Sequence, residues 1–283
     1  MRILVTGANG MLGRALAERL SSGNTLLLWG REEADLADDA AVEEAARGIE
    51  FDAIVNAAAF TEVDRCESEF DLALRGNRDA VRNVARLARE RGARLVTVST
   101  DYVFDGTATA PIPPSAPVNP LSVYGRTKLA GERAVQAVSP RWLVVRTAWL
   151  VGVHGRNFVE AVRERAARGL PLEVVDDQRG TPTFTFDLAA ALVTLGLGGY
   201  TGVLHVTNQG ECSRHEQAAE ILRQTGLRAP LTAVKSDRHP RPARRPAYSV
   251  LDNSAAIAIL GAPLPPWRES LARYLELRPT PRA

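Results

Sequence analysis

A glycine-rich turn near the start of the chain constrains the fold more than any other feature. Gly7, Gly10 and Gly13 have the spacing G-x-x-G-x-x-G, directly after a short apolar run at 3–5 and at the opening of a helical pattern at 12–20. Such glycines allow a tight turn and a close backbone approach, and the free N–H groups of a helix N-terminus bind pyrophosphate. The strand–loop–helix context favours a dinucleotide site over the alternative, a purely structural turn.

The alternation of strands and helices continues through residues 1–148. Further strands are predicted at 25–29, 53–56, 95–99 and 143–146, and helices at 40–46, 79–91 and 122–137. This alternation predicts an α/β fold with a Rossmann-type, doubly wound parallel sheet.

After residue 148 the pattern loosens. Helices are predicted at 157–168, 187–195 and 215–225, a short strand at 205–206, and an extended proline-rich loop at 111–120 precedes this part of the chain. We therefore expect an NADP(H)-binding domain at 1–148. The remainder, 149–283, is expected to be a smaller, loop-rich substrate domain from which some segments return to the main sheet.

Composition excludes several classes of protein. The 283 residues are 45% hydrophobic and 24% charged, as in ordinary globular proteins. The chain contains no run of about 18 apolar residues, so no membrane span is predicted. We expect no signal peptide, and two cysteines cannot build a disulfide framework, so a cytoplasmic location is expected. A net charge of +2 gives no reason to expect a nucleic-acid partner.

A second motif points to proton transfer. Tyr124 and Lys128 stand four residues apart at the start of a predicted helix, in a chain with only two lysines. On one helical face, the ammonium is expected to lower the phenol pKa and to reach the ribose of a nicotinamide nucleotide. Such a tyrosine can protonate an alkoxide. The alternative is an exposed Tyr–Lys pair.

Thr100 ends the fourth predicted strand. Ligands bind at the carboxyl ends of parallel strands, so Thr100 is placed to hydrogen-bond a substrate carbonyl, or else only caps a turn. After the second strand, Arg31 stands where an acidic residue would favour NAD; a guanidinium there favours the 2′-phosphate of NADPH, although NADH remains possible. The alternative for Arg31 is an exposed surface arginine.

With these residues in place, the chain resembles the dTDP-4-dehydrorhamnose reductase family of the extended short-chain dehydrogenase/reductase superfamily. The resemblance covers about residues 1–275. It is carried by STDYVFDG at 99–106, VYGRTKLAGE at 123–132, RTAW at 146–149, NF at 157–158, DQRGTPT at 177–183 and RPAYS at 245–249.

The resemblance implies reduction of the C4 keto group of dTDP-4-dehydro-β-L-rhamnose to give dTDP-L-rhamnose. Tyr124 is then the proton donor, Lys128 orients the ribose, and Thr100 holds the C4 oxygen. The implied substrate contacts are Thr100, Asp101, Tyr124 and Trp149. The expected cofactor contacts are Gly7, Gly10, Met11, Leu12, Gly13, Arg31, Asp35, Leu36, Ala57, Ala58, Ala59, Thr61, Tyr124 and Lys128.

The chain also departs from the family. Some members carry a glutamate linked to magnesium at a dimer contact where this chain has Ala15, so no metal is predicted and the protein is expected to be a monomer or homodimer. The segment SRHE at 213–216 stands where relatives often have aromatic residues. A basic stretch at 235–245, which includes Arg244 and Arg245, meets the substrate diphosphate or forms a solvated loop.

Three other functions remain open. The chain could reduce a different nucleotide 4-keto-6-deoxy sugar with the same catalytic residues. It could be a non-catalytic nucleotide-binding subunit, for example of methionine adenosyltransferase, although such a protein need not keep Tyr124, Lys128 and Thr100 together. It could be an epimerase or a dehydratase, against which the motifs at 177–183 and 245–252 argue.

Overall fold

The structure is a computed structural model that describes residues 1–278. Residues 279–283, the end of the predicted substrate domain, lie outside the described residues. The strands are β1 (Arg2–Thr6), β2 (Thr25–Trp29), β3 (Ala53–Asn56), β4 (Arg94–Thr100), β5 (Trp142–Thr147), β6 (Leu150–Val151), β7 (Leu172–Val175), β8 (Arg179–Gly180), β9 (Thr183–Phe184), β10 (Gly202–His205), β11 (Cys212–Ser213) and β12 (Leu231–Val234).

The helices lie between these strands. They are α1 (Met11–Leu20), α2 (Asp39–Ala45), α3 (Arg65–Ser68), α4 (Phe70–Leu74), α5 (Ala80–Glu90), α6 (Val123–Val138), α7 (Phe158–Ala167), α8 (Thr185–Leu197), α9 (Arg214–Thr225), α10 (Ser254–Leu260) and α11 (Trp267–Leu277). A π-helical turn at Arg75–Asp79 leads into α5, and 3₁₀ turns lie at Asp101–Val103 and Ser236–Arg238.

Six parallel strands form the central sheet, in the order β10-β5-β4-β3-β1-β2. The order reverses between β1 and β3, which opens a crevice at the carboxyl ends of the strands. The predicted doubly wound parallel sheet is confirmed. Its inner strands β1, β3, β4 and β5 are mostly buried because helices cover both faces, whereas the edge strand β2 is partly exposed.

One helical layer covers each face of the sheet. On one face α1 packs against α8, with Leu16 and Leu192 fully buried over Val5. On the other face α5 packs against α6, with Val84 and Val135 buried. Burial of each such side chain contributes about 1.5–3 kcal/mol, so these layers fix the strand ends that form the crevice.

The chain after residue 148 contributes both to the main sheet and to a separate group of small sheets. β10 pairs with β5, so this part of the chain returns to the main sheet, and the strand expected at 205–206 is observed at Gly202–His205. The rest builds three small two-stranded sheets, β6-β9, β7-β12 and β8-β11, around a separate apolar cluster that includes Phe184, Trp267 and Tyr274. Within residues 1–278, no helix is long and apolar enough to cross a membrane.

Candidate active site

The glycine turn is shaped by backbone packing. Gly7 has φ +70°, and a Cβ there would lie 2.6 Å from the Ala58 nitrogen, while a Cβ at Gly13 would collide with the Gly7 carbonyl. A Cβ at Gly10 would lie 3.2 Å from the Gly7 oxygen and, apart from its neighbours in the chain, would meet no other atom of residues 1–278 within 4 Å. Gly7 and Gly13 therefore keep the turn tight, and Gly10, the N-cap of α1, leaves the helix N-terminus open to an anion.

The other predicted cofactor contacts range from buried to exposed positions. Ala57, Ala58 and Ala59 follow β3 and are partly buried, and Thr61 is exposed beyond them. Gly152 and Gly155 lie against the side chain of Met11, while Leu12 and Leu36 are buried in the core. Asp35 forms an exposed ion pair with Arg75 at 3.0 Å.

Arg31 is exposed just after β2, as a residue facing a 2′-phosphate should be. The structure also places an acidic residue here that the sequence analysis did not single out. The Gly30 N–H donates to Glu33 Oε2 at 2.6 Å, and a Cβ at Gly30 would meet the Asn9 side chain. The ribose end of the crevice therefore carries both a cation and a carboxylate.

Thr100, Tyr124 and Lys128 converge at the carboxyl end of the sheet. Thr100 ends β4, and its side chain lies near Tyr124, which stands in the first turn of α6. The N-cap Ser122 accepts from the Gly125 N–H at 3.2 Å and fixes the start of that helix. The Tyr102 ring packs edge-on against Tyr124, with centroids 5.4 Å apart.

The expected effect of Lys128 on Tyr124 is wrong. The Lys128 ammonium donates to the Val98 carbonyl at 2.7 Å, and burial lowers the pKa of Lys128 to about 8. Burial raises the pKa of Tyr124 above its usual range, and the nearby Thr100 hydroxyl only partly offsets this. Desolvation outweighs charge proximity because both groups are almost fully buried. Tyr124 is therefore protonated at neutral pH.

A buried ion pair fixes α6 relative to the sheet. Glu132, one turn beyond Lys128, accepts two hydrogen bonds from Arg146 of β5, at 3.0 and 2.7 Å, and another from Ser99 of β4. Both partners are at most 5% exposed. Such a pair contributes more to positioning than to stability. It ties the helix that carries Tyr124 to the strand that carries Thr100.

Asn77 is a second positioning residue, and no sequence motif indicated it. It lies buried in the π-helical turn before α5. Its amide exchanges two hydrogen bonds with the backbone of Phe60, at 2.9 and 3.0 Å, and donates to the Thr127 hydroxyl at 3.1 Å. Asn77 thereby joins the cofactor-side loop after β3 to α6.

Two further predicted substrate contacts, Asp101 and Trp149, follow the ends of β4 and β5. Asp101 is 2% exposed, and burial raises its pKa to about 6. Trp149 adopts a left-handed backbone conformation, φ 46°, just beyond β5. The Arg214 guanidinium lies 3.5 Å from the centre of its ring, and the indole leaves no room for a Cβ at Gly180.

The basic stretch at 235–245 is largely matched by carboxylates. Arg245 hydrogen-bonds both oxygens of Asp64, at 2.9 and 3.0 Å, and Arg241 lies 3.7 Å from the same group. Lys235 pairs with Asp176 at 2.9 Å, whereas Arg244 is exposed. In residues 1–278, no group of three His, Cys, Asp or Glu side chains is arranged to hold a metal ion.

A protonated tyrosine beside a buried lysine, next to a nucleotide-binding turn in a doubly wound sheet, is the arrangement of short-chain dehydrogenases and reductases. The fold and site assign the chain to that class of oxidoreductase. Within the class, the family model described as the RmlD substrate binding domain matches residues 1–278, and the chain belongs to this family. The family expected from the sequence motifs is confirmed.

Curated relatives and solved structures agree with this assignment. The chain is 41% identical to the dTDP-4-dehydrorhamnose reductase of Mycolicibacterium smegmatis, over 95% of this chain and 84% of the relative. It is 42% identical to a probable dTDP-4,6-dihydroxy-2-methyloxan-3-one 4-ketoreductase of Streptomyces antibioticus, over 96% and 93%. A dTDP-4-dehydrorhamnose reductase structure from Clostridium acetobutylicum superposes with a TM-score of 0.95 at 40% identity, covering 98% of this chain and 99% of the other. One from Bacillus anthracis, in complex with NADP, gives 0.94 at 33% identity and the same coverage.

Proposed function

We propose that this protein reduces the C4 keto group of dTDP-4-dehydro-β-L-rhamnose to give dTDP-L-rhamnose, with NADPH as the preferred reductant. The observation that carries the proposal is the convergence of Thr100, Tyr124 and Lys128 beside the glycine turn, in a chain about 40% identical to named reductases of this substrate.

The crevice suits a nicotinamide dinucleotide. The open N-terminus of α1 at Gly10 binds the pyrophosphate, and the exposed Arg31 pairs with the 2′-phosphate. Lys128 orients the nicotinamide ribose from its place beside Val98. When bound, NADPH supplies the hydride for C4.

Protein residues stabilise the negative charge that develops on the C4 oxygen. Tyr124 donates to this oxygen, and the Thr100 hydroxyl, which donates to Asp101 in the free protein, turns its proton toward the same oxygen when the sugar binds. Because burial keeps Tyr124 protonated at neutral pH, its hydroxyl is the acid that delivers a proton to the oxygen, and the phenolate then forms.

Asp101 and Trp149 place the sugar. Asp101 follows Thr100 directly and accepts from its hydroxyl at 3.0 Å, so its carboxyl lies beside the reacting carbon. Trp149 presents the indole edge, because Arg214 lies over the ring and Gly180 packs against it. We therefore assign Trp149 an edge contact with the sugar and not an open stacking platform.

A coupled assay tests the function. dTDP-4-dehydro-6-deoxyglucose is supplied with the partner epimerase and NADPH, and loss of nicotinamide absorbance is followed before the product sugar is identified by NMR. Epimerase-dependent oxidation that yields dTDP-L-rhamnose is expected. Oxidation without the epimerase, or a different sugar, contradicts the substrate assignment.

A second candidate is a reductase of another dTDP-4-keto sugar, and the 42% identity to the Streptomyces antibioticus ketoreductase favours it specifically. The catalytic residues are then unchanged, and the same assay run on other dTDP-4-keto sugars separates the two candidates by kcat/KM. The cytoplasmic location and the monomeric or homodimeric state stay predictions.

A further inference from the structure

Arg214 is a cation at the substrate side of the crevice whose charge is not matched by a contacting carboxylate. It is the first residue of α9, and the capping box of Ser213 and Glu216 fixes the backbone at this point. Its guanidinium lies over the Trp149 ring at 3.5 Å and near Phe158 at 5.1 Å. This close contact with the Trp149 ring restricts the movement of the side chain.

The hydrogen bonds of Arg214 leave most of its donors free. Its only protein acceptor among residues 1–278 is the neutral Gln217 Oε1, at 3.1 Å, and no ion pair forms within the same range. A guanidinium carries five N–H donors, so several remain available to a ligand. Because the side chain is partly exposed, a ligand in the crevice can reach it.

The buried and half-buried cations near the site, apart from Arg214, are already paired, whereas Arg244 is exposed. Arg245 is held by Asp64, Arg179 lies 3.0 Å from Glu211 and 3.6 Å from Glu216, and Arg146 is held by Glu132. Lys128 donates to a backbone carbonyl on the cofactor side of Thr100. Arg214, by contrast, acts electrostatically on Asp101 and Tyr102, which border the reacting carbon.

We propose that Arg214 binds the diphosphate of the nucleotide-sugar substrate through N–H donors held in place by Trp149. This inference rests on the proposed function, because it requires a nucleoside diphosphate in the crevice. A diphosphate brought into a partly desolvated site needs a cation, and a guanidinium matches phosphate oxygens with paired donors. The sugar hydroxyls are neutral and need no such charge.

The position of Arg214 agrees with the length of the substrate. Thr100 and Tyr124 hold the C4 oxygen, and the diphosphate leaves C1 on the far side of the pyranose ring. Thr147, opposite Thr100 in the β4–β5 register, precedes Trp149 by two residues. A group lying on Trp149 therefore stands just beyond the end of β5, next to the strand end that carries Thr100.

Binding measurements on Arg214→Gln and Arg214→Lys test the proposal. Isothermal titration of dTDP, UDP and thymidine into the protein saturated with NADP⁺ separates a diphosphate contact from a nucleoside contact. Loss of a charge-assisted hydrogen-bonding group weakens binding about 10- to 100-fold. We expect that loss for dTDP in Arg214→Gln, a smaller loss in Arg214→Lys, and unchanged binding of thymidine.

The matched control is Arg268→Gln. Arg268 also stacks on a tryptophan, Trp267, at 4.4 Å, but it stands on α11. We expect Arg268→Gln to leave dTDP binding unchanged. Circular dichroism must show that Arg268→Gln and Arg214→Gln are both folded. A fall in dTDP affinity equal to that of Arg214→Gln would show a general effect of losing an Arg–Trp stack and would overturn the proposal.

The outcomes distinguish this inference from the proposed function. If Arg214→Gln raises KM for the keto sugar but leaves dTDP binding unchanged, Arg214 contacts the sugar and the diphosphate role is overturned. If the wild-type protein binds UDP in preference to dTDP, the proposed substrate fails while the loss in Arg214→Gln still supports Arg214. If no nucleoside diphosphate binds the wild-type protein, Arg214 has no such role.

Discussion

Asp64 and Arg245 join two parts of the chain that are distant in sequence, through hydrogen bonds of 2.9 and 3.0 Å. Asp64 stands in the segment after β3, and Arg245 in the segment before α10. Arg245 also lies near Tyr102, whose ring packs against Tyr124. The pair therefore holds the segment that contains Arg245 beside Tyr124.

Asp64→Asn weakens this connection. The Arg245 hydrogen bonds lower the pKa of Asp64, so its contribution to stability is present above the unfolded value of 3.8 and is lost as the pH falls through the lower folded value. We expect a loss of about 1–3 kcal/mol of unfolding free energy at pH 7, measured in urea. A double-mutant cycle with Arg245→Gln should give coupling above about 0.5 kcal/mol; independent effects contradict the account.

Tyr124→Phe removes the proton donor and keeps the ring. Because general acid catalysis contributes about 10²–10⁴-fold, we expect kcat to fall by that factor while NADPH binding, followed by nicotinamide fluorescence, changes little. Tyr200→Phe is the control, since Tyr200 is 41% exposed beyond α8. A Tyr124→Phe enzyme with kcat within tenfold of the wild type assigns the proton to another group.

Lys128→Met should stabilise the nucleotide-free protein while it disables the enzyme. Burial lowers the pKa of Lys128 from 10.5 to about 8, so the unfolded chain binds more protons between these values and stability rises with pH across that window. At pH 7 the charged lysine costs up to about 3 kcal/mol. Urea unfolding at pH 7 and pH 10 should show a variant that is more stable at pH 7 and less sensitive to pH; equal stability of the two proteins at pH 7 contradicts this.

Asp101→Asn tests a group whose pKa shift makes stability fall, and not rise, with increasing pH. Burial raises the pKa of Asp101 from 3.8 to about 6, so the folded protein binds the extra proton and loses stability as the pH rises through this window. We expect the variant to exceed the wild type in unfolding free energy at pH 7 but not at pH 4, and to have a higher KM for the sugar. An identical pH dependence in both proteins rules out the raised pKa.

Arg31 and Glu33 should set cofactor choice in opposite directions. Arg31→Asp is expected to lower kcat/KM for NADPH and spare NADH, because the 2′-phosphate loses its cation. Glu33→Gln removes a carboxylate that lies beside the Gly30 N–H and should favour NADPH. The ratio of kcat/KM for the two cofactors is the measurement, and equal losses for both in Arg31→Asp refute the role of Arg31.

The parts of the fold that follow from local pattern were predictable. Five of the six parallel strands, the glycine turn and the helix that carries Tyr124 and Lys128 have a strong local signal of apolar runs, glycine spacing and helical period, whereas β10 was expected only as a short strand at 205–206. Thr100 lies near Tyr124 because α6 follows β4 in the chain and begins at the edge of the sheet where β4 ends. Short helices such as α3 and α4, and strands such as β8, have too few residues to show a period and were not predicted.

The electrostatics and the long-range contacts were not predictable in the same way. The spacing of Tyr124 and Lys128 indicates that they share a helical face, but only the depth of burial shows that desolvation raises one pKa and lowers the other. Asn77 acts through the backbone of Phe60, and Arg214 through the ring of Trp149. Such contacts depend on tertiary packing, which leaves no regular mark in the sequence.

Deuterium transfer tests the central claim most directly. The protein is incubated with NADPH carrying deuterium at the transferable position of the nicotinamide and with the keto sugar generated by the partner epimerase. The account predicts dTDP-L-rhamnose with deuterium at C4 alone, formed by the wild type and lost in Tyr124→Phe. Deuterium at another carbon, or oxidation of NADPH with no labelled sugar, would contradict it.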